Sequence, residues 1–271
     1  MRKLFPSLLT SITYLLALIY FAPVLWILLT GFKNEGDAVA MPPSIIFTPT
    51  LDNYRMILES GAGSYLGHSA VVSILSTFLA LALGVPAAYA LAILKLKKAD
   101  DILFWFISTK MLPAVGIIIP LYLIIKQLHL LDSLIALIVL YTAMNVPLVV
   151  WMMRSFFKDV PYDTIEAYRV DGASGLQGFF KITLPLVRPG IMSTALLCLI
   201  FVWNEFFIGV SLTSTSAVTM PVYMASFMTQ EGLFWAKMSS VASVAVLPAL
   251  VLGWFTQRQL VRGLTMGAVK G

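Results

Sequence analysis

The sequence predicts an all-α integral membrane protein of six spanning helices with both termini in the cytoplasm. Three observations carry that reading: a shortage of charge, six apolar runs of spanning length, and a lopsided distribution of basic residues. Of 271 residues 59% are hydrophobic and 11% charged, where ordinary soluble domains carry roughly a quarter charged. A soluble core of this size would leave much of that apolar material in water.

The runs follow in order. Leu4–Phe32, Ser60–Leu94, Ser133–Met153 and Met238–Gln257 contain no Asp, Glu, Lys or Arg, while Ile102–Ile125 and Pro189–Leu212 contain one charge each, Lys110 and Glu205. A spanning helix needs about 20 mostly apolar residues, so all six qualify. Lipid offers the backbone no hydrogen-bond partners, which dictates helices. Barrel strands would show about 10 residues of alternating polarity, and no stretch here alternates that way. The first run is far longer than the apolar core of a secretory signal and no small-residue cleavage site follows it, so it stays as the first span.

With both termini inside, the inner segments hold 13 Lys and Arg and the outer ones 4. That is the positive-inside pattern, so the net charge of +5 is a topology signal and not a nucleic-acid one. Cys198 is the only cysteine, and His68 and His129 are far apart; no metal site is expected. Gly61-Ala62-Gly63 lacks the Lys and Ser/Thr of a phosphate loop. If ATP is used, another chain binds it.

The whole chain, 1–271, reads as one transmembrane domain. The outer loop at 31–63 and an outer segment at 213–237 are its longest exterior stretches, with Met220–Met228 apolar enough to dip toward the bilayer. Glu35, Asp37, Asp52 and Glu231 offer polar contacts there. Several spans carry helix breakers: Gly84 and Pro86, Pro113 with Gly116 and Pro120, and Pro147. Proline removes a backbone bond and kinks a helix, which membranes tolerate where the freed groups are buried or face a cavity. Lys110 and Glu205 lie roughly 13 and 24 Å from the cytoplasmic ends of their runs at 1.5 Å per residue, too unequal to meet without a kink at Pro113. Charges at such depth usually face the bundle interior or a cavity. Glu205 with Trp203 and Asn204 presents a carboxylate, an amide and an aromatic face to solute hydroxyls; Lys110 and Asn145 join them as pathway candidates.

The long inner loop, 154–188, is the most informative segment. Pro161 suits a first helical turn, Glu166 and Ala167 favour helix, and Gly172 can take the left-handed residue that closes one. Ser174 or Asp171 can cap a second helix, which Pro185 is expected to stop. Ile165, Ala167, Leu176, Phe179 and Phe180 give this cytoplasmic helix–Gly–helix an apolar face, a knob suited to a partner's groove.

Glu166-Ala167-Tyr168, Gly172 and Ile182-Thr183-Leu184-Pro185 resemble the hallmark loop of permease subunits of ATP-binding-cassette importers, Glu-Ala-Ala, then Gly, then Ile-x-Leu-Pro. Tyr168 departs from it, standing where the pattern has its second Ala. The resemblance extends over nearly the whole chain to the carbohydrate-uptake branch, through Phe47–Tyr54, Met111-Leu112-Pro113, Ile119–Tyr122, Trp203–Phe206 and Gly263–Gly271. It implies the type I importer permease fold in a bacterial inner membrane. It also implies a second homologous permease, two ATPase subunits that bind ATP and Mg, and an external solute-binding protein. Glu166, Ala167, Asp171, Gly172, Ile182, Leu184 and Pro185 would form the ATPase dock, and the cytoplasmic tail 258–271 would, from Gly263 on, reach toward it. The solute would be a sugar, sugar derivative or polyol, moved by alternating access. A secondary carrier or facilitator for a neutral solute has similar hydropathy but often shows internal repeats, which are absent here. An enzyme would want clustered His, Asp or Glu at one membrane face, whereas the only acid within the runs is Glu205.

Overall fold

The computed structural model describes residues 4–94, 96–229 and 232–265. The chain begins with α1 (Leu4–Thr30), α2 (Glu35–Ala38), α3 (Asp52–Glu59) and α4 (Ala62–Ile93). Then come α5 (Ala99–Lys110), α6 (Ala114–Gln127), α7 (Leu134–Lys158), α8 (Tyr162–Val170) and α9 (Gly175–Gly178). A π-helical turn Phe179–Thr183 leads to α10 (Leu184–Leu186), α11 (Arg188–Trp203), α12 (Phe207–Leu212) and α13 (Met220–Ala225). A two-residue hairpin, β1 (Met228–Thr229) with β2 (Gly232–Leu233), precedes α14 (Trp235–Thr265).

Among the described residues, three helices are long and apolar enough to cross a membrane singly: α1 from Leu9, α4 and α7. The third run reaches that standard only as a bent pair, α5 with α6 at 88°, whereas α11, which holds most of the fifth run, reaches it only when joined across a 75° bend to Gly175–Leu186, residues of the loop that precedes the run. The sixth run contributes a shorter apolar helix, Trp235–Val251. The third run breaks at Met111–Pro113, where Pro113 takes an extended conformation and caps α6. Its missing N–H sits where a helix start would leave one unsatisfied anyway. Pro86 and Pro147, by contrast, lie inside unbroken helices.

Contacts divide the chain into two units. One comprises the described residues up to Leu66 together with Val222–Pro248. Its loop 31–51 is organised around Lys33, which is fully buried. The Lys33 ammonium donates to the Ser44 carbonyl at 2.6 Å and lies 4.1 Å from the Trp26 ring centroid, a cation–π contact. Asn53 closes the turn by donating its amide to the carbonyls of Gly31 and Lys33.

The other unit comprises Gly67–Pro221 with the described residues from Ala249. Here α5 and α11 pack on α7, and α4 crosses α7 closely because Gly84 has no side chain to hold off Val149. One apolar core joins Tyr89, Val149, Phe157, Ile165, Tyr168 and Phe179 at the inner loop. A second joins Val72, Leu137, Tyr141, Val202 and Ile208.

Candidate functional site

The inner loop folds as its punctuation dictates. Pro161 immediately precedes α8, and Gly172 adopts φ +77°, the left-handed closure. Of the two capping candidates it is Ser174 that caps: its hydroxyl accepts from the Gln177 N–H while the Gln177 side chain accepts from the Ser174 N–H, a capping box. Pro185 does not stop the second helix. It sits in the first turn of α10, after the π turn, so the ring begins a new α-helical turn and the chain bends only at Val187.

The loop's residues divide between surface and core. Glu166, Ala167, Asp171, Gly172 and Pro185 are exposed; Ile182 and Leu184 are half-buried against the apolar core. The expected apolar face also divides: Ile165 and Phe179 turn inward, while Leu176 (72% exposed) and Phe180 (60%) turn outward beside Val170 (85%). Exposed apolar groups in such a cluster mark an interaction surface.

Within the spans, the break at residues 204–206 is built by Glu205. Its carboxylate accepts from the Tyr141 hydroxyl at 2.5 Å and from the N–H groups of Ile208 at 2.9 Å and Gly209 at 3.2 Å. It satisfies the first amides of α12, which lipid would leave orphaned, and this is why the fifth run is two helices. Sequence reasoning misses Tyr141, although it lies one helical turn before Asn145 on the same face. Lys110, Tyr141, Asn145 and Glu205 line one cavity of about 40 Å³. Lys110 and Glu205 thus reach one cavity, despite their unequal depths along the runs. Asn145 donates to the Tyr141 carbonyl, while its own buried Oδ1 has no protein partner. Trp203 and Asn204 line a different, smaller cavity with Leu199, Ile200 and Ala249. Asn204 also folds its amide back onto the Ile200 carbonyl, so the expected Trp203–Asn204–Glu205 set is divided between two sites.

Elsewhere in the chain Glu35 and Asp132 commit their carboxylates to backbone N–H groups. Glu35 accepts from the N–H groups of Ala236 and Lys237 at 3.0 and 3.1 Å, capping α14. Asp37 accepts from the Asn34 amide. Asp132, in a left-handed conformation (φ 54°), accepts from the N–H groups of Ser214, Thr215, Ser216 and Ala217 and from two hydroxyls. Burial opposes its ionisation, but these hydrogen bonds outweigh that and hold the carboxyl well below the usual carboxylate range. Glu231 and residues 266–271 of the tail lie outside the described residues; 258–265 continue α14.

Comparison with known proteins gives these sites a context. The family described as binding-protein-dependent transport system inner membrane component matches residues 80–264. The chain is 41% identical to the probable ABC transporter permease protein y4oR of Sinorhizobium fredii, over 94% of this chain and 92% of the relative. It is 34% identical to the sulfoquinovosyl glycerol transport system permease SmoH of Agrobacterium fabrum, over 92% and 88% respectively. Its fold matches a chain of a bacterial ABC transporter that imports the acidic polysaccharide alginate, with a TM-score of 0.75 at 20% identity, over 94% of this chain and 96% of that one. The exposed helix–Gly–helix loop and the apolar helices are thus those of a membrane-integral protein with the type I importer permease fold, and the chain belongs to the family of binding-protein-dependent transport system inner membrane components, as an ABC importer permease.

Proposed function

We propose that this chain is one of two permease subunits of an ATP-driven importer that carries a sugar, sugar derivative or polyol across a bacterial inner membrane. Two ATPase subunits, which bind ATP and Mg, would dock on loop 154–188, and an external solute-binding protein would sit on the outer segments. Both termini would be cytoplasmic, with α14 as the sixth crossing.

The observation that carries this reading is the exposed apolar set Val170, Leu176 and Phe180 around a left-handed Gly172. A secondary carrier has no use for such a knob. The sulfoquinovosyl glycerol relative supports a glycoside-like solute. The cavity at Lys110, Asn145 and Glu205, about 40 Å³, is far below the roughly 300–1,000 Å³ of ligand pockets. It has room for a water or a solute hydroxyl, not a sugar ring. This chain would then offer Lys110 and the free Oδ1 of Asn145 to the pathway, Glu205 would shape the wall, and the partner permease would complete the site.

The test is purification of the tagged chain from native membranes, followed by uptake of labelled sugars and polyols in reconstituted vesicles. The expected result is co-purification with an ATPase and a second permease, and uptake that requires ATP and a binding protein. Uptake by the chain alone, driven by a solute or ion gradient, would overturn the proposal.

A further inference from the structure

Tyr168 stands where the family pattern has its second Ala, and its surroundings are built for the larger side chain. The residue is 3% exposed and lies on the inward side of α8 with Ile165, one turn away, while Glu166, Ala167 and Val170 face outward. Its ring covers Gly178 of α9 so closely that a Cβ there would overlap three ring carbons. The Tyr168 hydroxyl meets the Tyr89 hydroxyl of α4 at 3.1 Å, and Tyr89 is itself 8% exposed. The Tyr89 ring in turn meets Phe157 of α7 edge-on at 5.6 Å and Phe179 of the π turn at 4.9 Å.

We infer that Tyr168 is a positioning residue for coupling, locking the docking helix α8, the second loop helix α9 and the cytoplasmic ends of α4 and α7 into one lever. The inference rests on the proposed importer function. The large-against-small fit at Tyr168–Gly178 holds the two loop helices at one angle, because either a smaller residue at 168 or a larger one at 178 spoils the contact. The Tyr168–Tyr89 bond carries that angle to α4, so displacement of the dock moves the span instead of flexing the loop. With Ala at 168 the loop would still fold on Gly172 and the Ser174 capping box, and would still present its outer face, but the joint beneath it would be slack.

Tyr168→Phe, Tyr168→Ala, Gly178→Ala and the double Tyr168→Ala/Gly178→Ala variant would be made in the assembled transporter. Solute uptake and ATP hydrolysis would be read together, with the amount of co-purified ATPase as the assembly control. Tyr168→Ala is expected to keep its ATPase partners while the ATP hydrolysed per solute rises about tenfold. Tyr168→Phe loses only the hydroxyl pair, and the same ratio should rise about threefold. Gly178→Ala should raise it as well, and the double variant should lie closer to wild type than Gly178→Ala, because the new methyl enters space the ring has left. The proposal is overturned if Tyr168→Phe and Tyr168→Ala assemble and leave ATP per solute unchanged, or if the double variant is no better than Gly178→Ala. Failure of the wild-type chain to hold an ATPase at all would instead overturn the importer reading.

Discussion

Acidic side chains on loop 154–188 and at the breaks elsewhere in the chain are disposed in opposite ways. Glu166 and Asp171 stand exposed on the surface of the inner loop, around a backbone already closed by Gly172 and capped by Ser174. Glu35, Asp132 and Glu205 turn their carboxylates onto backbone N–H groups at a helix start, a turn at 214–217 and a broken apolar run. A carboxylate at a helix N-terminus satisfies orphan amides and complements the helix dipole. In the first region the fold is made by glycine, a hydroxyl and apolar packing, which leaves the acids available to a partner. In the second the acids are part of the fold. Substitutions in the two regions should therefore separate transport from stability.

The largest separation is expected at Gly172. Its φ is +77°, and a Cβ added there would meet no atom within 4 Å, so any penalty is conformational and not steric. A β-branched residue is strongly disfavoured there, at a cost of about 1–3 kcal/mol if the conformation persists. Gly172→Val should retain membrane insertion and overall helicity but lose ATPase co-purification and uptake by about tenfold or more. Normal uptake with normal ATPase recovery would remove the inner loop from the dock and dissolve the contrast between the regions.

Glu205 comes next, with the opposite signature. Glu205→Ala would orphan the Ile208 and Gly209 amides and the Tyr141 hydroxyl at one stroke, each unsatisfied buried group costing about 1–3 kcal/mol. The variant should unfold at lower temperature in detergent and lower uptake severalfold, while the ATPases still bind, because the inner loop is untouched. Glu205→Gln, which keeps an acceptor oxygen, should recover most of the thermal stability. If Glu205→Ala loses uptake with no loss of stability, the carboxylate serves the solute and not the helix.

The inner loop is readable from sequence because its signals are local: Gly172, Ser174 and Gln177 act on residues within one or two turns. Glu205 and Asp132 are not, since their partners lie far off in sequence or on backbone amides that any residue supplies. Tyr141 is 64 residues from Glu205, and Ser214 is 82 from Asp132. Proline is an uneven guide for a related reason. Pro86 and Pro147 pass through α4 and α7 without ending them, whereas Pro113 ends one helix and starts another. The residue before a proline is pushed out of the helical region, but neighbouring helices decide whether that tendency wins, and they are invisible in one sequence. The aromatic at 168 is hard to place for the same reason: by sequence it adds bulk to the docking helix, yet the fold buries it.

Asp132 should give the smallest effect, and its pH dependence tests the comparison from the other side. Its folded pKa is depressed, so the stability it contributes is complete above the unfolded value of about 4 and is lost as pH falls from there through the folded value. The site is exposed at its rim, so water can replace part of what the carboxylate supplies. A cap of this kind contributes about 1 kcal/mol, which for a chain of this size lowers the Tm by about 2–4 °C when removed. Asp132→Asn, which keeps one acceptor oxygen and loses the charge, should therefore lower the melting temperature slightly at pH 7. Below about pH 4 the difference from wild type should begin to shrink, as the unfolded chain's carboxyl takes up a proton that the folded one still resists. ATPase binding should be unaffected, because the inner loop shares no hydrogen bond with this turn among the described residues. A variant indistinguishable from wild type at pH 7, with backbone exchange at Ser216 and Ala217 unchanged, would show that the outer carboxylate is ornamental and restrict the structural role of acids to Glu35 and Glu205.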